Sequence, residues 1–353
     1  MHILITGGAG FVGSNLALSF KYNYPLYQIT CLDNLKRRGS ELNLPRLREQ
    51  GIGFLHADIR NPEDLATIEE FDCLIDASAE PSVLAGITSP VAQVINNNLV
   101  GTANCLELAK KYDAAFVFLS TSRVYPIQSL ENLQFKERET RFDWSDDQII
   151  PGASSQGISE DFPLPGSRSF YGATKLAAEL LIEEYHALAG LRTVINRCGV
   201  ISGPWQMGKV DQGVVVLWVA RHFWRQSLNY VGYGGTGKQV RDILHVNDLF
   251  DLIDYQVHHW EQVTGKTMNA GGGLPNSLSL LELTRLCEEI TGNQIAITQI
   301  PETRSADLRI YLTDNKKVKE LTGWQPTRTP RQTVTDIFDW IQDHENKLKH
   351  TLN

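Results

Sequence analysis

The opening stretch MHILITGGAGFVGSNL restricts the fold more than any other part of the chain. HILIT (2–6) is a short apolar run that reads as a buried strand, and VGSNLALSFKY (12–22) carries a helical pattern. Between them Gly7, Gly10 and Gly13 stand in GxxGxxG spacing. Such a loop lets backbone N–H groups and the helix N-terminus come close to a pyrophosphate, where a Cβ would obstruct the turn or the ligand. Glycine-rich strand–helix turns also arise for packing alone, so the next strand decides the reading. YQITCLD (27–33) ends in Asp33, and a carboxylate there accepts both ribose hydroxyls of an adenosine and repels a 2′-phosphate. That favours NAD over NADP. The basic run Lys36-Arg37-Arg38 acts in the other direction, although a basic run after a strand is most often a solvated turn.

The alternation continues. Candidate strands follow at 53–59, 72–78, 114–120 and 192–197, with helical segments at 97–112 and 172–190 between them. Strands alternating with helices imply βαβ units. The expected class is therefore α/β, a Rossmann-type doubly wound parallel sheet with a smaller, interwoven C-terminal α/β substrate domain. Residues 1–198 form the expected dinucleotide domain, with a returning segment near 236–262; residues 199–235 and 263–353 form the substrate domain. The polar interval 127–170 breaks the rhythm, and a connection of that length is usually functional or poorly ordered. Ser279-Leu280-Leu281-Glu282 reads as a capping box opening a helix that ends before Gly292.

A net charge of −8 argues against a polyanion-binding surface, so no nucleic-acid partner is expected. Five cysteines without a CxxC read as reduced, packed thiols, and no metal site is expected. His245 reads as a packed core histidine, and His258-His259 lack the neighbours of a metal site. MHILIT already reads as a strand, so no signal peptide is expected, and no apolar run approaches a membrane span. The expected setting is cytoplasmic, without a membrane partner.

Tyr171 and Lys175 open the long helix after the irregular interval, four residues apart and so on one face. A phenol is a poor base at neutral pH unless its anion is stabilised, which a neighbouring ammonium and a bound nicotinamide cation would do. Thr121 closes the strand AAFVFLST, at the carboxyl end where open α/β sheets bind ligands. Its hydroxyl beside the phenol would bind a substrate oxygen as that oxygen gains or loses a proton. Ser120 is expected to touch cofactor or substrate.

Taken together, TGGAGFVG, Asp33-Asn34, Asp58-Ile59, Asn98 to Thr102, Ser120-Thr121 with Val124-Tyr125, and Tyr171 with Lys175 resemble the extended short-chain dehydrogenase/reductase superfamily of nucleotide-sugar epimerases and dehydratases. DNLKRRG (33–39), HADIRN (56–61), ERETRF (137–142), DQG (211–213), GKQVRDILH (237–245) and NSLSLLEL (276–283) narrow the resemblance to the CDP-paratose 2-epimerase (CDP-tyvelose epimerase) group. The resemblance implies a catalytic set of Thr121, Tyr171 and Lys175. It implies cofactor contacts at Gly7, Gly10, Phe11, Val12, Gly13, Asp33, Asn34, Lys36, Arg37, Asp58, Ile59, Ala77, Ala79 and Asn98, and substrate contacts at Glu80 and Gln212. Arg241 and Arg304 are the candidates for the substrate diphosphate, since guanidinium forks suit phosphate oxygens. The chain departs from the family pattern at Asp76, Glu80 and Pro126, and Gly199 to Pro204 replace the usual segment after the sixth strand.

A sugar carbon bearing H and OH has no acidic C–H, so inversion requires transient oxidation. Within this family a dehydratase places an acid pair directly after the hydroxyl residue, and a decarboxylase a glutamate. Ser122-Arg123 occupy those positions here, and neither is acidic. The expected reaction is inversion of C2 in a CDP-hexose with tightly bound NAD. A 4-epimerase, a 4-reductase and a dinucleotide-binding scaffold without turnover remain alternatives. A homodimer or homotetramer is expected by the same resemblance.

Overall fold

The computed structural model describes residues 1–87, 89–208 and 212–352. Its centre is a seven-stranded, all-parallel sheet: β1 (His2–Thr6), β2 (Gln28–Asp33), β3 (Gly53–His56), β4 (Cys73–Asp76), β5 (Ala115–Thr121), β6 (Thr193–Cys198) and β7 (Lys266–Ala270). The spatial order β7-β6-β5-β4-β1-β2-β3 reverses between β1 and β4, where a crevice opens at the strand C-termini.

Both faces of the sheet are covered, so the strands read as nearly continuous apolar runs rather than alternating ones. Successive residues of β1 face opposite sides. Ile3 and Ile5 join Leu16 and Phe20 of helix α1 (Phe11–Asn23), while Leu4 packs with Phe116, Phe118, Ala178 and Ile182 on the other side. Two helices border that second face, α2 (Gly101–Lys111) and α3 (Phe170–Ala189); a five-residue π-helical turn, Asn96–Val100, leads into α2.

The sequence placed the chain's return to the first domain near 236–262, and the structure moves it. Val240–His245 belongs instead to a second, four-stranded sheet with Val200–Ser202, Ser277–Ser279 and Ile310–Tyr311. Helix α4 (Val246–His258) then returns to cover the first sheet, its Phe250 ring edge-on to Phe20 at 5.0 Å. β7 follows and pairs with β6, so the boundary expected at 263 falls inside the first unit. No composition break marks this crossing. His245 caps α4, its Nδ1 accepting from the Asn247 N–H at 3.0 Å, and burial lowers its pKa to about 4, which keeps the ring neutral and able to accept.

The interval 127–170 is packed rather than loose. A short helix and two small hairpins bring Phe142, Trp144, Ile158 and Phe162 against Tyr125, Tyr311 and Leu312. The capping box is formed in both directions, Ser279 accepting from Glu282 N–H and Glu282 from Ser279 N–H. All five cysteines are buried free thiols. Among the described residues there is no helix long and apolar enough to cross a membrane and no cluster able to hold a metal ion.

Candidate active site

A cavity of 670 Å³ runs along the strand C-termini from the glycine loop to Tyr171. Gly7 sits at φ 64°, and a Cβ there would lie 2.7 Å from the Ala77 carbonyl oxygen, so only glycine lets β1 turn beside β4. Phe11 and Val12 line the cavity at the start of α1, whose first turn holds neither a side-chain cap nor an acidic residue. Those first-turn amides are the donors that an anion takes at a helix N-terminus. Asp33 forms the wall beside them, its carboxylate accepting from the Ala9 N–H at 3.2 Å and the Leu35 N–H at 2.8 Å. Burial raises its pKa against the pull of those amides.

Gly10, Asn34, Lys36, Arg37, Ile59, Ala77, Ala79 and Glu80 also line this cavity. Gly13, Asp58, Asn98 and Lys175 do not border it; they shape it from behind. A Cβ on Gly13 would meet the Gly7 carbonyl oxygen at 2.3 Å, so its role is close packing of α1 on the loop. The Asp58 carboxylate takes Asn34 Nδ2 at 3.0 Å and pairs with Arg60, whose guanidinium lowers its pKa. Asn98 clamps the next loop through both backbone groups of Glu80 and also reaches Thr174. Arg37 bends back across the cavity to the Gln212 side chain and the Met207 carbonyl, so it is no solvated turn.

The catalytic end is assembled from β5, the turn after it and the start of α3. Thr121 caps that turn, its Oγ1 accepting from the Arg123 N–H at 3.2 Å. Ser169 caps α3 by accepting from Gly172 N–H. The helix start then seats directly on the turn, where a Cβ on Gly172 would fall 2.1 Å from the Arg123 carbonyl oxygen. This contact sets the Tyr171 phenol within hydrogen-bonding reach of Thr121. Burial pushes the phenol up to about 12, while Thr121 and Arg123 act to lower it. Lys175, 1% exposed, holds its ammonium 3.8 Å from the centre of the Phe118 ring. Burial lowers it to about 8, opposed by Asp76, Cys198 and Glu179.

Ser120 has a structural task besides its place in the cavity wall. It borders the cavity, but its hydroxyl donates to Glu179, which Arg197 grips at 2.7 Å in a buried ion pair beneath the strand tip. Ser120 therefore fastens β5 to α3 and β6.

A second cavity of 490 Å³ lies against the four-stranded sheet, and Arg241 and Arg304 stand in its wall. Arg241 is braced by Asp307 at 2.9 Å and by the Leu308 carbonyl. Gln212 lines both cavities; its neighbour Asp211, in the DQG segment, lies outside the described residues. Sequence reasoning missed Asn43, which is buried in the first cavity's wall and donates to the Ala9 carbonyl at 2.9 Å. A lone Asn in a turn carries no signal of that contact. Gly172 was overlooked as well, although its place between Tyr171 and Lys175 was legible.

Residues 3–271 match the family described as "NAD dependent epimerase/dehydratase family". The chain belongs to this family. It is 33% identical, over 96% of its length and 99% of the relative, to CDP-paratose 2-epimerase of Salmonella typhi. It is 27% identical to UDP-glucose 4-epimerase of Bacillus subtilis (strain 168), over 99% of both chains. Among solved structures it resembles Pal from Bacillus thuringiensis, with a TM-score of 0.78 and 25% identity over 97% of this chain and 99% of that one. It also resembles dTDP-glucose 4,6-dehydratase from Bacillus anthracis str. Ames in complex with NAD, with a TM-score of 0.76, 25% identity and full coverage of both chains. Membership makes the chain an NAD-dependent enzyme of nucleotide-sugar chemistry. The donor set fits that cofactor: the uncapped amides at the start of α1 suit a pyrophosphate, and the acid ending β2 suits ribose hydroxyls.

Proposed function

We propose that this family member inverts C2 of a CDP-hexose through a transient 2-keto sugar. The bound dinucleotide supplies reversible hydride acceptance; the chain supplies orientation and proton transfer. Tyr171, as the phenolate that Lys175 stabilises from behind the helix start, takes the proton of the sugar hydroxyl and becomes the neutral phenol. Thr121 donates to the same sugar oxygen as it becomes a carbonyl. After the keto sugar presents its other face, Tyr171 returns the proton. The cavity from the glycine loop to Tyr171 takes the dinucleotide and the second takes the nucleotide diphosphate; Arg123, Val200 and Gln212 line both.

One observation carries the choice of reaction. The turn after Thr121 presents Ser122 and Arg123, so the two positions following the catalytic hydroxyl carry no carboxylate to remove a C–H proton or expel water. Glu80 lines the same cavity, but from the loop after β4. Support for the CDP-hexose comes from the Salmonella relative. We further propose a homodimer or a pair of dimers: α3 leaves Leu180 at 56% and Leu188 at 83% exposure.

The test is direct. The protein is incubated with CDP-, UDP-, GDP- and dTDP-hexoses in ordinary and deuterated water, with products read by NMR. C2 inversion without solvent deuterium at that carbon supports the reading, whereas water loss or accumulation of reduced cofactor defeats it. Tyr171→Phe should lose turnover by at least about a hundredfold, the usual worth of a positioned acid–base group, while retaining bound NAD. Near-normal turnover in that variant refutes the mechanism.

A further inference from the structure

Arg123 takes no part in the proton transfer above, yet among the described residues it is the one charged side chain that lines both cavities. It is also a half-buried cation lacking a counter-ion of its own. One terminal nitrogen, Nη1, donates to the Ala306 carbonyl at 3.0 Å. Ala306 itself is held at φ 63°. No acceptor among the described residues takes Nε or Nη2. The charged and titratable groups around it are Arg241, Asp307, Tyr171 and Tyr233. The carboxylate among them, Asp307, is already paired with Arg241 at 2.9 Å. A guanidinium has five donors, and the one bond to Ala306 leaves the others to face the cavities, where they can take an anion. The local charge agrees: among the described residues, the wall of the second cavity carries Arg123, Arg221, Arg241 and Arg304 against the single acid Asp307, in a chain of net charge −8.

We propose that Arg123 grips the phosphate attached to the sugar, and so places C2 rather than a more distant carbon at Tyr171. This rests on the C2 reading above. In a nucleotide sugar the diphosphate hangs from C1. C2 is the neighbouring carbon, while C4 lies across the ring. Chemistry at C2 therefore brings the sugar-side phosphate up to the catalytic hydroxyls, and chemistry at C4 holds it one ring-width away. Arg123 stands at the near position: its own N–H donates to Thr121, its carbonyl supports Gly172, and its charge is felt by Tyr171. Arg241 and Arg304, which line the second cavity and not the first, are left for the nucleoside-side phosphate. The guanidinium is thus a substrate contact that sets regiochemistry.

The test uses the NAD-loaded protein, its Arg123→Gln and Arg123→Lys variants, and calorimetric binding of nucleoside mono- and diphosphates. Cytidine, uridine, guanosine and thymidine pairs are screened, and the pair bound most tightly by the wild type is carried forward. Arg123→Gln should weaken diphosphate binding by about tenfold to a hundredfold, as expected for losing charge-assisted bonds to one phosphate. Monophosphate binding should stay within about twofold, because the nucleoside-side phosphate does not reach Arg123. Arg123→Lys should fall between, and unchanged NAD content and melting temperature exclude collapse of the fold. Equal losses for both ligands, no loss, or a wild type that does not prefer the diphosphate would each overturn the proposal. Product identity separates this from the C2 reading. Inversion at C4 with a selective diphosphate loss removes the regiochemical role and the C2 reading together, leaving only a phosphate contact. Inversion at C2 without that loss removes Arg123 alone.

Discussion

Substituting Gly172 by alanine tests how the catalytic pair is positioned, because two effects of opposite sign compete. Gly172 lies in the first turn of α3, where alanine is favoured over glycine by about 1 kcal/mol from backbone entropy alone. Against this, the new Cβ would stand 2.1 Å from the Arg123 carbonyl oxygen and 2.9 Å from its carbon. Both atoms are main chain in a turn capped by Thr121, so neither can swing aside as a side-chain tip would. Overpacking of this kind costs about 1–3 kcal/mol, and relief requires the helix start to back away by about an ångström. The net stability change is therefore small, between about zero and 2 kcal/mol of loss. Activity should respond far more. A displacement of about 1 Å at reacting groups costs on the order of a hundredfold in rate, and here it parts Tyr171 from Thr121. The assay is turnover with saturating nucleotide sugar beside thermal melting of the NAD-loaded protein. The expected result is a turnover loss of about a hundredfold with a shift of only a few degrees in melting temperature. Wild-type turnover together with a higher melting temperature would refute the reasoning, since the propensity gain would then have met no opposing contact.

Two further outcomes follow from burial and charge. Lys175→Met should abolish turnover and raise the melting temperature at pH 7, because it removes a buried ammonium whose pKa is lowered to about 8. Lysine binds a proton more weakly in the folded than in the unfolded chain, so the wild type gains stability as pH rises from about 8 towards 10.5; the variant's advantage should shrink over that window, and an advantage that widens would contradict the assignment. Asp33→Asn should weaken NAD binding by about tenfold and narrow the preference over NADP, measured by cofactor titration of stripped protein, because the neutral amide no longer repels a 2′-phosphate. An unchanged preference would show that the cofactor's ribose does not meet this residue.

Much of this arrangement was readable from residue order because local physics dictated it. The strand–glycine–helix unit, the acid ending β2 and the Tyr–Lys pair each depend on spacing within a single element. Even the absence of an acid after Thr121 could be read one residue at a time. What escaped depended on contacts distant in sequence. Nothing near Ser120 announces that Glu179, fifty-nine residues away, would capture its hydroxyl. Nothing in the basic run shows that Arg37 turns inward to Gln212, 175 residues away. The domain boundary failed for a related reason: KTMNA (266–270) is a short, half-polar run, and only its pairing with β6 makes it a sheet strand. Asn98 and Asp58 illustrate a subtler limit, since a motif identifies which residues matter but not whether they touch a ligand or hold the residue that does.

The placement of β7 has a consequence for how the protein could be divided or remodelled. Any cut between 262 and 266 would remove the neighbour of β6 and leave the backbone of Thr193–Cys198 as an open, buried-type edge. Such an edge recruits strands from other chains. The same cut would leave Val240–His245 with Val200–Ser202 but strip its other two partners, Ser277–Ser279 and Ile310–Tyr311, which lie beyond it. The half that takes the dinucleotide and the half lined by arginines are thus stitched through one another. Neither is a module to be transplanted, and new specificity in this scaffold has to be written by changing side chains in place.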